Sequence, residues 1–162
     1  MAKSHKARVL EGLMRETRLS SSLTILFSQA VGERLGAHST DVETIDLLLL
    51  LGPMTAGKLS QVTGLSTGAT TRLIDRMERA GFARRVPDPD DRRRVVVEAV
   101  LESAPRIMPL FQPLGERMEA LWSSYTTEQL ELVLDFMTRS NQILAEENLR
   151  LRQSPTTGPE PE

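Results

Sequence analysis

Eight arginines crowd the stretch from Arg72 to Arg94, at positions 72, 76, 79, 84, 85, 92, 93 and 94, and they share it with five acids, Asp75, Glu78, Asp88, Asp90 and Asp91. The surplus of three positive charges is local. The whole chain of 162 residues has a formal net charge of −2, so everything outside this stretch sums to −5. A guanidinium offers only donors, in a rigid planar fork, and a basic patch on an acidic body suits a polyanion. Ser66, Thr67, Gly68 and Thr71 lie just ahead of the arginines. They are small, and three carry hydroxyls, so backbone and side chains there can approach a surface closely. The chemistry these types can do is recognition by charge and hydrogen bonding.

Bond-making chemistry finds no such support. The two histidines, His5 and His38, stand near the start of the chain and ahead of a helix, and no Gly-x-Ser-x-Gly turn presents a serine to either. Neither a Gly-x-Gly-x-x-Gly nor a P-loop spacing occurs to cradle a nucleotide. Glu146 and Glu147 are sequence neighbours on one helix and cannot face each other across a cleft. With no cysteine, the chain has no disulfide, thiolate metal site or thiol sensor. Asp88, Asp90 and Asp91 hint at calcium, but the glycine at the sixth loop position and the acid at the twelfth are missing. The expectation is a protein that is not an enzyme and holds no cofactor or metal.

The elements that must position the basic stretch read from local signals. Thr55 caps a short helix, AGKLSQVTG, with Leu59 and Val62 as its apolar edge and Gly64 as its stop. Ser66 caps a second helix, TGATTRLIDRMERA, closed by Gly81. On a helical wheel Ala69, Leu73, Ile74, Met77 and Ala80 take one side, and Thr67, Gly68, Thr71, Arg72, Asp75 and Arg79 take the other. A helix of this size fits a B-DNA major groove roughly 12 Å wide. After Gly81 and Phe82, the runs Arg84–Val86 and Arg94–Val97 are β-prone and flank the turn-rich Pro87–Asp91, which predicts a hairpin wing. Arg92, Arg93 and Arg94 leave its tip, where a guanidinium can reach a minor groove, and Asp91 is placed to brace Arg93. The plainer alternative is a solvated turn whose arginines and aspartates pair with one another.

Helix, turn, helix and then LIDRMERAGFARRVPDPDDRRRVVV resembles the MarR family of winged-helix transcriptional regulators. The matching positions are Met77 in the leucine place, Gly81, Phe82 and Arg85, then Asp91 and Arg93 at the wing tip; Ala83 replaces the usual valine or isoleucine. The resemblance extends over nearly the whole chain. It implies a homodimer that places the Ser66 to Ala80 helix in the major groove and the Asp91 to Arg94 tip in the minor groove of a pseudo-palindromic double-stranded DNA operator. The DNA-binding candidates are Ser66, Thr67, Gly68, Thr71, Arg72, Arg76, Arg85, Asp91, Arg92, Arg93 and Arg94, with Thr67, Thr71 and Arg72 for base edges and Arg76 and Arg85 as phosphate or structural arginines. It also implies a small effector, often aromatic or phenolic, that makes the protein a ligand-responsive repressor. The rival reading is a winged-helix module that docks protein without reading DNA; its arginine-rich edge is a poor match for an apolar partner.

The flanks fit a mainly α fold with a small β-hairpin wing. Residues 1–36 predict a long dimerisation helix after a frayed Met1–Ala7 start, with an interruption near Ser20 to Ser22 as an open alternative. Residues 37–101 form the winged helix-turn-helix domain, opened by a capping box at Thr40 and Glu43 ahead of a buried leucine-rich helix stopped by Gly52 and Pro53. Residues 102–152 predict two further dimerisation helices. In the first, Pro109 and Pro113 call for a kink or a start delayed past Pro105; the second is capped by Thr126 with Gln129. Trp122 is assigned to core or interface. Residues 153–162, proline-rich and polar, read as a disordered tail. With no apolar run near ~20 residues and no signal peptide, a cytoplasmic location without membrane contact is expected.

Overall fold

In a computed structural model, residues 4–153 are described. They comprise α1 (His5–Leu35), α2 (Ser39–Leu51), α3 (Ala56–Thr63), α4 (Thr67–Ala80), β1 (Ala83–Pro87), β2 (Val95–Ala99), a 3-10 turn (Leu101–Ser103), α5 (Ala104–Trp122) and α6 (Thr127–Gln153). The chain divides into two compact units, Met1–Leu110 and Phe111–Glu162. The mainly α fold with one hairpin is the one the sequence predicts.

In the first unit α1 runs without a break through Ser20 to Ser22. Ser21 and Ser22 donate to the carbonyls of Thr17 and Arg18, four residues back, and Thr24 does the same to Ser20, so these hydroxyls join the helix rather than compete with it. Ser4 caps the helix, so His5 to Ala7 are helical and not frayed. Only Ser28, Val31 and Gly32 of α1 are buried, while Leu10, Leu13, Met14, Leu19, Leu23 and Leu26 are exposed. Gly36 ends the helix in the left-handed conformation, and the chain folds back into α2.

Gly32 is what allows that return. A Cβ there would lie 2.8 Å from the Ala37 carbonyl oxygen and 3.2 Å from the Ser39 nitrogen, both backbone atoms that cannot rotate away. Gly32→Ala is therefore expected to destabilise the fold by about 1–3 kcal/mol, the usual cost of overpacking. Urea denaturation at fixed protein concentration measures it, and an unchanged midpoint would contradict the tight turn.

The start of α2 differs from the expectation. His38 is the N-cap and Asp41 the third helical residue, and the Asp41 carboxylate accepts the His38 backbone N–H at 3.2 Å. Thr40 and Glu43 make no capping box, because the helix has already begun at Ser39. Nor is α2 buried throughout: Val42, Ile45 and Leu48 face the core, but Leu49, Leu50 and Leu51 are exposed.

Local signals hold across α3 and α4. Thr55 accepts from the Lys58 N–H and Ser66 from the Ala69 N–H, and Gly64 and Gly81 take left-handed conformations at the two helix ends. Leu59, Leu73, Ile74, Met77 and Phe82 form the centre of the core. The hairpin pairs Ala83 with Ala99 through Pro87 with Val95, in antiparallel register. Its strands reach further than read from sequence at the first strand's ends, and Arg94 falls in the connecting loop. Met54, unremarked in the sequence, adds a bridge to Val97: its N–H donates to the Val97 carbonyl at 3.1 Å and the reverse bond is 2.8 Å.

α5 begins at Ala104, so the start is not delayed past Pro105, and the helix continues through Pro109 and Pro113. Pro105 lies in the first turn, where its missing N–H has no intrahelical role. In the second unit α6 opens with the expected capping box. Thr126 Oγ1 accepts the Gln129 N–H at 3.3 Å, and Gln129 Oε1 accepts the Thr126 N–H at 2.9 Å. No described residue of α6 is buried, and Leu132, Leu134, Phe136 and Ile143 are among its exposed apolar side chains. Trp122 is half exposed and so is not core. Of the expected disordered tail, residues 153–162, Gln153 is still helical as the last residue of α6, and 154–162 lie outside the described residues. Among the described residues no helix is long and apolar enough to cross a membrane.

Candidate nucleic-acid interface

The exposed face of α4 is the one the helical wheel predicts. Thr67, Gly68, Thr71, Arg72, Asp75 and Arg79 are exposed, while Thr70, Leu73, Ile74 and Met77 are buried against the rest of the unit. Thr70 is an addition: its hydroxyl donates to the Ser66 carbonyl at 3.0 Å, which satisfies it inside the core. Thr71 likewise donates to the Thr67 carbonyl at 3.0 Å. Ser66 has its side chain engaged as the cap, which sets where α4 begins.

The structure sorts the arginines by what already holds them. Arg76 reaches Asp41 at the start of α2, with Nε 2.9 and 3.0 Å from the two carboxylate oxygens and Nη2 2.5 Å from one of them. The Asp41 side chain is only 3% exposed, so this is a charge withdrawn from water and matched by a fork of donors. The hydrogen bond to Asp41 raises the Arg76 pKa above its ordinary value, outweighing desolvation. Arg85 bonds Asp75 at 2.7 Å and also Glu78, and its backbone N–H donates to Glu78 at 2.8 Å, clasping β1 to α4. Its pKa is raised first by the Asp75 bond. Arg84 bonds Glu98 across the hairpin at 2.7 Å. Of the two roles open to Arg76 and Arg85, both side chains sit in the structural one.

The wing tip is built by its aspartates acting on backbone. Asp88, nearly buried, accepts the Asp90 N–H at 2.9 Å, and its own N–H donates to the Arg94 carbonyl at 2.9 Å. Asp91 accepts the Arg93 N–H at 3.1 Å, so it braces the Arg93 backbone and not its guanidinium. Arg94 lies 3.8 Å from Asp88, a long ion pair. The self-paired turn is thus confined to Arg94. Among the described residues, Arg72, Arg92 and Arg93 make no ion pair and no side-chain hydrogen bond, and all three are exposed.

Two positioning residues escaped the sequence reading. Asp41 lies 35 residues from Arg76, and only its place at the third position of α2 signals a structural role. Arg106, in the first turns of α5, donates to the Ala80 carbonyl at 3.2 Å and lies 4.9 Å from the Phe82 ring centroid. It places a positive charge at the C-terminus of α4, where the helix dipole favours it. Among the described residues no group of acids and histidines could hold a metal ion.

The MarR family model matches residues 39–95, from the start of α2 to the first residue of β2. The uncharacterized HTH-type transcriptional regulator YcgE of Bacillus subtilis (strain 168) is 47% identical over 130 residues, covering 80% of this chain and 84% of that protein. Among solved structures, a MarR family protein from Bacillus stearothermophilus aligns at TM-score 0.63 and 20% identity over 88% of this chain and 99% of its own. An E. coli MarR mutant complexed with operator DNA aligns at TM-score 0.53 and 18% identity over 85% of this chain and 99% of its own. The latter two establish likeness of fold, and the former, with the family match across the helix-turn-helix and the wing, establishes kinship: the chain belongs to the MarR family of helix-turn-helix transcriptional regulators.

Proposed function

We propose that the protein is a homodimeric, sequence-specific DNA-binding transcriptional repressor. The observation that carries this reading is the set of exposed guanidiniums with no internal partner among the described residues, Arg72 on α4 and Arg92 and Arg93 on the wing, while neighbouring arginines are held by carboxylates. The α4 face from Thr67 to Arg79 enters a major groove, and the Asp91–Arg94 tip enters the flanking minor groove. The operator complex solved for the E. coli relative supports the same use of this fold. Dimerisation engages the apolar side chains that α1 and α6 expose, more than a monomer's surface ordinarily carries. A two-fold dimer reads a pseudo-palindrome whose half-sites lie about 34 Å apart.

The experiment is selection from random duplex pools by the purified full chain at two salt concentrations. A palindromic consensus whose binding weakens steeply with salt is the expected result. Unselective binding, or none, at both salts would replace DNA readout with protein docking.

As a family member the protein is read further as ligand-responsive, released from its operator by a small aromatic or phenolic effector. Linkage then requires such a ligand to bind free protein more tightly than the DNA complex. Equal affinities by calorimetry would remove it.

A further inference from the structure

Three arginines project from α4, and two of them are already engaged. Arg76 is held by the buried Asp41 carboxylate, and Arg79 donates its Nε to the Asp75 carbonyl at 3.2 Å. The Arg72 side chain has no hydrogen bond or ion pair among the described residues and shares the exposed face with Thr67, Gly68 and Thr71. The direction its side chain takes along the helix bears on its reach. A Cβ built on Gly68 would lie 3.7 Å from Arg72 Nη1, so the guanidinium folds back one turn and rests over the glycine, in the direction that helical side chains lean. It is thereby presented at the N-terminal end of α4, the part of a recognition helix that reaches base edges.

The neighbours decide which base it meets. The Thr71 hydroxyl donates to the Thr67 carbonyl, so what it has left to offer a base is its acceptor lone pairs. Arg72 supplies the one charged donor group at that end of the face, beside the hydroxyls of Ser66 and Thr67. A guanidinium has donors alone, and the base that shows two adjacent acceptors in the major groove, N7 and O6, is guanine; adenine sets a donor beside its N7.

We propose that Arg72 specifies one guanine in each operator half-site by a bidentate pair of N–H bonds to N7 and O6, and that Arg76 and Arg79 confer no base preference. The inference rests on the DNA-reading role proposed above. It is tested by selecting random duplex pools in parallel with the wild-type full chain, Arg72→Ala and Arg72→Lys. The wild type is expected to enrich a G·C pair at symmetry-related positions of the two half-sites. Arg72→Ala keeps the rest of the consensus but accepts any base there, and Arg72→Lys retains a weakened guanine preference, since lysine also reaches N7 and O6. Replacing that guanine by 7-deazaguanine lowers wild-type affinity by about tenfold, the scale of one major-groove contact. The same replacement leaves Arg72→Ala affinity unchanged.

The 7-deazaguanine arm needs only the wild type, so it can overturn the inference even if Arg72→Ala binds too weakly to select, and Arg72→Lys, with weaker guanine preference at that position alone, then ties the contact to residue 72. If Arg72→Ala weakens every sequence equally and still enriches the guanine, Arg72 is a phosphate contact and the inference is overturned. Tolerance of 7-deazaguanine by the wild type overturns it too. A wild-type pool with no consensus at all overturns the DNA-reading proposal itself, a result distinguishable from either.

Discussion

Arg76→Met is expected to lower the free energy of unfolding by about 3 kcal/mol, the low end of what breaking a buried ion pair costs, because it strands the Asp41 carboxylate in the protein interior. Asp41 is 2% exposed as a residue, and once Arg76 is gone its remaining partner is the His38 N–H. Methionine preserves much of the arginine's apolar stem, so the loss reports the charge pair and not a cavity. Arg76 itself is about a third exposed, and water entering beside it softens the penalty, which is why the low end applies. Asp41→Asn combined with Arg76→Met removes both charges and is expected to recover much of the stability. Urea denaturation of the four proteins at one concentration completes the cycle. Equal losses for Arg76→Met and the double variant would show that the pair does not hold α2 to α4.

Arg93→Ala is expected to do the opposite: leave stability alone and weaken DNA binding. Its side chain is exposed and has no internal partner among the described residues, and the Asp91 bond to its backbone N–H survives truncation. The loss of operator affinity is expected to be ~1–3 kcal/mol, the scale for removing one arginine from a groove. Anisotropy titrations of a labelled operator at two salt concentrations measure it, with a thermal melt as the control. Unchanged affinity would remove the wing tip from the mechanism; a lowered melting temperature would show that Arg93 does structural work after all.

These two arginines mark how far the sequence could be read. Both sit in a basic stretch, and composition treats them alike. The elements were legible because their signals are local: Thr55, Ser66, Gly64 and Gly81 act within one helical turn, and the apolar spacing of Leu73, Ile74 and Met77 fixes which face of α4 is buried. The start of α2 was misplaced because two capping registers overlap there, and the one used begins at His38, an uncommon cap, with Asp41 rather than Glu43 closing the box.

The prolines of α5 predict a kink or a start delayed past Pro105, and the delayed start is the alternative that fails, since the helix begins at Ala104. Pro105, Pro109 and Pro113 fall four residues apart, so the missing donors align along one stripe of the helix and the bonds on the other faces remain. What could not be read is long-range pairing. Nothing near Arg76 announces Asp41, and nothing near Arg106 announces the Ala80 carbonyl and Phe82 ring, 26 and 24 residues back. Sorting structural from free arginines needs the folded chain.

The central claim is that α4 occupies a major groove and the wing an adjoining minor groove, twice, about a two-fold axis. A footprint of the full chain on its selected operator, with hydroxyl radicals for the minor groove and dimethyl sulfate for guanine N7 in the major groove, tests this most directly. The account expects two guanine-N7 protections about one helical turn apart, related by symmetry, each with a minor-groove protection beside it that fades in Arg93→Ala. A single protected patch, or minor-groove protection that Arg93→Ala leaves intact, would contradict it.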